Sequence, residues 1–76
     1  MLDKIYRVKS VLNTANTDFP GGTVAVYVGT TGKLTVDFWG EGDNIDVENL
    51  EAGVWHEMNI KKVHDDTTAD NILVAF

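Results

Sequence analysis

Short runs of alternating apolar and polar residues follow one another along this chain, each closed by Gly, Asn or Asp. A period of two puts successive side chains on opposite faces of an extended strand, and its recurrence between turn formers predicts antiparallel sheet. In residues 4–11, Tyr6 and Val8 alternate with Arg7 and Lys9, and Ile5 is an apolar exception on the basic face. Residues 13–22, NTANTDFPGG, are rich in turn formers, with Pro20 biasing Phe19 towards extended backbone. Residues 1–22 therefore read as an N-terminal strand or arm followed by a linker, and residues 23–76 as an antiparallel β-domain, the whole forming one compact unit.

Within that domain Val24, Val26 and Val28 share one face of a run, and Leu34, Val36 and Phe38 share one face of the next. Gly29-Thr-Thr-Gly32 between them predicts a hairpin, because glycine supplies the positive φ of a tight reversal. Residues 39–43, WGEGD, predict a second reversal into a strand carrying Ile45 and Val47, and Glu51-Ala-Gly53 a third hairpin step. Residues 54–63 read as one long strand, with Val54, Met58 and Ile60 on one face and Trp55, Glu57, Asn59 and Lys61 on the other. HDDTTADN turns the chain, and residues 72–76 are apolar on both faces, which predicts a strand covered on both sides. The best helical candidate, residues 46–56, contains Gly53 and has no 3.6-residue stripe. The expected fold is all-β, a small antiparallel β-barrel or sandwich of about six strands. Alternation looks the same in both.

Size and charge narrow what such a fold can do. A chain of 76 residues buries only about 60–65% of its unfolded surface and supports one core. With no cysteine there is neither a disulfide nor a thiolate ligand or nucleophile. Oligomerisation is the remaining common source of stability for so small a core. Twelve acidic against six basic residues, a net charge of −6, oppose approach to a phosphate backbone, so no nucleic-acid partner is expected. Asp3, Lys4, Arg7 and Lys9 interrupt the N-terminal apolar residues, and nothing approaches the length of a membrane span. The expectation is a soluble protein made in a cytoplasm, with no membrane partner.

Candidate chemistry is sparse. His56 and His64 are the only imidazoles, and on a continuous strand they would stand about 26 Å apart. His64 beside Asp65 and Asp66 could pair a base with an orienting carboxylate, and it equally describes a solvated turn, the reading preferred here. Asp37, Glu41, Asp43, Asp46, Glu48 and Glu51 cluster without the spacing of an EF-hand loop, so they read as a solvated acidic face suited to a basic partner surface. Ser10 is the only serine and sits in no nucleophile elbow, and GTTGK lacks the full phosphate-loop pattern. No catalytic residue, metal or cofactor is expected. Tyr27, Trp39 and Trp55 lie opposite the aliphatic stripes, which marks a second apolar face and an interface, unless the register is misread and one tryptophan belongs to the core.

Three segments carry a resemblance: FPGGTVAVYVGTTGKLTV (residues 19–36), ENLEAGVWHEMNIKKV (residues 48–63) and DDTTADNILVAF (residues 65–76). Their spaced Gly, Thr and apolar positions resemble the small head proteins of tailed phages and gene transfer agents, the head spike base and cement or decoration proteins. The resemblance implies a non-enzymatic virion subunit on the capsid surface, made in the host cytoplasm. It implies assembly as a homotrimer or homopentamer, binding to the major capsid protein and, for a spike base, to a head fibre protein. On that reading the interface residues are Tyr6, Arg7, Lys9, Phe19, Tyr27, Trp39, Trp55 and Phe76, with Tyr6, Arg7 and Lys9 on the arm. The alternative is a small-ligand or carbohydrate-binding module that stacks sugar rings on Tyr27, Trp39 and Trp55.

Overall fold

The structure, a computed structural model, describes residues 7–76, so Tyr6 lies outside the described residues. All regular structure among them is β: β1 (Val8–Val11), β2 (Thr17–Asp18), β3 (Ala25–Thr30), β4 (Leu34–Phe38), β5 (Ile45–Val47), β6 (Trp55–Glu57), β7 (Ile60–Val63) and β8 (Asp70–Ala75). They form two antiparallel four-stranded sheets, β1-β8-β3-β6 and β2-β7-β4-β5. Neither sheet closes on itself or on the other, so the fold is an open sandwich and not a barrel, with eight short strands where about six were expected.

Alternation fills the space between the sheets. Val11, Val26, Val28, Ile72 and Val74 from the first sheet meet Leu34, Val36, Ile60 and Val63 from the second, with Phe19 and Ala69 completing the core. These side chains carry no polar atom to desolvate, and each fully buried Val, Leu or Ile contributes about 1.5–3 kcal/mol, set against the entropy of ordering the chain.

The topology departs from a run of hairpins. β3 and β4 do not pair; they belong to opposite sheets. Gly29-Thr-Thr-Gly32 is therefore a crossover between the sheets, and the glycines with positive φ are Gly22, Gly40, Gly42 and Gly53 instead. Gly32 is needed for closeness: a Cβ there would stand 2.7 Å from Ala69 N and 2.9 Å from Ala69 Cα. That approach lets Thr68 N and Ala69 N donate to Lys33 O, at 2.8 and 3.0 Å, and so fastens the segment before β8 to the start of β4.

The reversal through residues 39–43 is a true hairpin, with β4 and β5 paired from Leu34↔Val47 to Val36↔Ile45. Glu51-Ala-Gly53 instead carries the chain from the second sheet back to the first. The long strand expected over residues 54–63 is broken at Met58 and Asn59, so that β6 joins the first sheet and β7 the second. Thr23 holds the break: its buried hydroxyl donates to Met58 O at 2.9 Å and accepts from Ile60 N at 3.2 Å. Val24, expected on the core face, is 51% exposed, because β3 begins one residue later.

From Arg7 onward the expected arm and linker belong to the sandwich. β1 pairs with β8 from Val8↔Ala75 to Val11↔Ile72, and β2 pairs with β7. Val11 and Phe19 are both 5% exposed, and residues so buried anchor their segment. β8, apolar on both faces, is an interior strand between β1 and β3.

Candidate functional site

The two outward faces of the sandwich differ in chemistry. On the second sheet Asp18, Lys62 and Asp37 stand in register across three strands, and Thr35 stands beside Asp46 and donates to its Oδ1 at 2.8 Å. That face is hydrophilic and hydrogen-bonded to itself.

The outward face of the first sheet is largely apolar. Pairing registers set Ser10, Leu73, Tyr27 and Trp55 in one row and Val8, Ala75, Ala25 and Glu57 in the next. Ala25 and Ala75 are small enough for their larger neighbours to cover them, while Val8 is 48% exposed and Leu12, one turn of alternation beyond Ser10, is 70% exposed. The Tyr27 and Trp55 rings meet at 5.5 Å between centroids, tilted by 50°. Beside them Leu12, Leu73, Asn71 and Tyr27 line a shallow depression of about 310 Å³. Among the described residues no strand packs over this face.

A second feature lies at the open end between the sheets. Arg7 exchanges backbone hydrogen bonds with Phe76, and its guanidinium sits 4.8 Å from the Phe76 ring centroid. Phe76 in turn meets Phe19 at 6.2 Å, tilted by 52°. With Lys9 and the Pro20-Gly21-Gly22 turn they line a cleft of about 310 Å³ that Asp18 also borders.

The structure thus sorts the eight interface candidates. Tyr27 and Trp55 come together on the first sheet's outward face, and Arg7, Lys9, Phe19 and Phe76 come together in the cleft. Trp39 joins neither group: it is 51% exposed, just past the end of β4, whose sheet is not that of Tyr27 and Trp55.

The histidines are also separated, His56 on β6 and His64 just after β7. His56 Nε2 contacts Glu51 O at 2.9 Å. His64 takes neither Asp65 nor Asp66 as its partner; its Nε2 lies 2.6 Å from Asp37 Oδ1, a residue 27 positions away. The same oxygen accepts from Asn44 N at 2.7 Å. The His64 hydrogen bond, and after it the Asn44 N–H, hold the Asp37 carboxyl below its ordinary value, against the opposing effect of desolvation. Only the register of β4 against β7 could have revealed this pair, because nothing local links the two residues. An imidazole on a carboxylate is half of a catalytic triad, but Ser10, the single serine, is on β1 in the other sheet. The pair instead bolts the 64–69 loop to β4, where Thr67 Oγ1 also accepts from Thr35 N at 3.0 Å. Among the described residues no three His, Asp or Glu side chains are gathered to hold a metal ion.

Comparison with family models, with curated proteins and with solved structures finds no match.

Proposed function

We propose that this chain is a non-catalytic structural subunit that associates with copies of itself through the outward face of its first sheet, in the manner of a capsid cement or spike-base protein. The observation that carries the reading is the asymmetry of the sandwich. One outward face is polar and internally bonded, while the other exposes Val8 and Leu12 beside the Tyr27–Trp55 pair. Apolar side chains gathered on one outward face of a two-layer sandwich, opposite a polar one, suit that face to contact with another surface. The small core points the same way, since burial between copies adds to the limited stability that a 76-residue core supplies. The occupant is a second copy, because the one charged residue in the two rows is Glu57, on edge strand β6, with Asp70 at the border of the depression, and the remainder fits an equally apolar surface.

The capsid setting, with the major capsid protein as second partner, rests on the resemblance of residues 19–36, 48–63 and 65–76 to small phage head proteins. Sugar stacking is the weaker alternative: rings tilted by 50° do not form the flat platform that a pyranose face requires.

The solution mass of the purified chain by light scattering tests the proposal. A stable oligomer is expected, a dimer where the face pairs with itself and a trimer or pentamer where copies close a ring. A mass of one chain at every concentration up to the millimolar range removes the self-association reading. A blue shift of tryptophan emission on titration with glycans would move the sugar-binding alternative ahead of it.

A further inference from the structure

We propose that the Phe19–Phe76 cleft is a socket for the Trp39 loop of a second copy, a contact separate from the outward face of the first sheet and independent of it. The cleft is lined by two aromatic side chains and by charged groups of net positive sign: Phe19 is 5% exposed, Phe76 is half-buried, and Arg7 and Lys9 border the cleft together with Asp18. These two cations are a third of the six basic residues in a chain of net charge −6. Against Asp18 they leave the charged lining of the cleft at a net +1 on a chain of net −6, so the cleft favours an acidic segment more than the rest of the surface does.

The loop has the complementary chemistry. Trp39 is the most exposed aromatic side chain among the described residues, at 51%. It is followed by Gly40-Glu41-Gly42-Asp43, where a Cβ at Gly40 would meet only open space while one at Gly42 would touch Phe38 and Ile45, so the Gly40 side of the turn faces solvent. Asp43 is 71% exposed while pairing with Lys61 at 3.4 Å, and Glu41 is exposed. An indole flanked by carboxylates fits an aromatic floor rimmed by a guanidinium and an ammonium.

The loop and the cleft also sit side by side. Trp39 N donates to Asn59 O at 3.0 Å, and on the other side of that segment Phe19 N donates to Lys61 O and Thr23 N to Ile60 O. The two therefore flank β7 at a separation of two strand spacings, about 10 Å. A projection and a recess adjacent on one end of the molecule can be exchanged between copies, each Trp39 entering a neighbouring copy's cleft.

Charge reversal tests this. Variant one carries Arg7→Glu and Lys9→Glu; variant two carries Glu41→Lys and Asp43→Lys. Both are made in the full chain with Val8→Ser and Leu12→Ser, so that the first sheet's outward face is not what is read. The parent is expected to self-associate, each variant alone to do so at least tenfold more weakly, and an equimolar mixture of the two to recover to within threefold of the parent. Trp39→Ala, at an exposed position, is expected to abolish association while leaving the circular dichroism spectrum unchanged. A monomeric parent, a mixture no tighter than its components, or Trp39→Ala associating as the parent does would each overturn the socket. Loss of the outward-face contact in wild-type chain would leave these results unchanged, so the two contacts fail separately.

Discussion

Replacing Val8 and Leu12 together by serine probes the outward face of the first sheet with little disturbance to the fold. Complete burial of a Val or Leu side chain stabilises by about 1.5–3 kcal/mol. Val8 is 48% and Leu12 70% exposed in the single chain, so about half and two-thirds of that gain remains to be realised on association. For each copy the sum is about 2–3.5 kcal/mol, and a contact between two such faces loses about twice that, so association should weaken by at least about 30-fold. The upper end is a ceiling, because ordering and desolvation at an interface consume part of the area-based gain. The single chain has less to lose: Leu12 lies outside any strand, and Val8 is on edge strand β1, where strand preference spans about 1 kcal/mol. Sedimentation velocity over a concentration series gives the dissociation constants, and urea melts monitored by circular dichroism report the fold. A shift below threefold with an unchanged urea midpoint would refute the assignment of this face as the interface.

Three further outcomes follow from the fold itself. Thr23→Val keeps the shape but leaves Met58 O and Ile60 N without their hydroxyl partner, and it should cost about 1–3 kcal/mol in urea unfolding. Gly32→Ala drives a Cβ against the Ala69 backbone, which cannot swing aside, and should cost a similar amount, about 1–3 kcal/mol; Gly21→Ala, with nothing within 4 Å, should stay within about 0.5 kcal/mol of the parent. Asp37, held below its ordinary value of 3.8, binds fewer protons folded than unfolded, so its contribution is present above about pH 4 and is lost as pH falls through the folded value. Asp37→Asn should therefore flatten the decline of the urea midpoint between pH 5 and pH 2, and a decline identical to the parent's would show that the His64 and Asn44 contacts do not act on folding.

Strand content was legible because period-two alternation is a local property of the chain. The faces of residues 26–28, 34–38 and 72–76 read correctly, as did the Trp39–Asp43 reversal, where Gly40 and Gly42 take the left-handed φ that the turn requires. Which strands pair was not legible. β3 and β4 show the same two apolar stripes whether they are neighbours in one sheet or face each other across a core, and only the fit of Lys33 and Gly32 against residues 68–69 decides between them. The break between β6 and β7 was hidden for a similar reason, since Thr23, which stabilises it, is 35 residues from Met58.

The candidate surfaces divide along the same line. Aromatic side chains opposite the aliphatic stripes marked Tyr27 and Trp55 as outward-facing from the sequence, because face is set by parity along a strand. Parity carries no information about which strands adjoin, so it could not separate Trp39 from that pair, bring Arg7 and Lys9 to Phe19 and Phe76, or join His64 to Asp37. By itself the sequence determined an acidic, cysteine-free, all-β chain with more apolar surface than one core uses. Tertiary structure alone decided the open sandwich, the single apolar outward face and the aromatic cleft, because each depends on strand pairing between residues far apart in the chain.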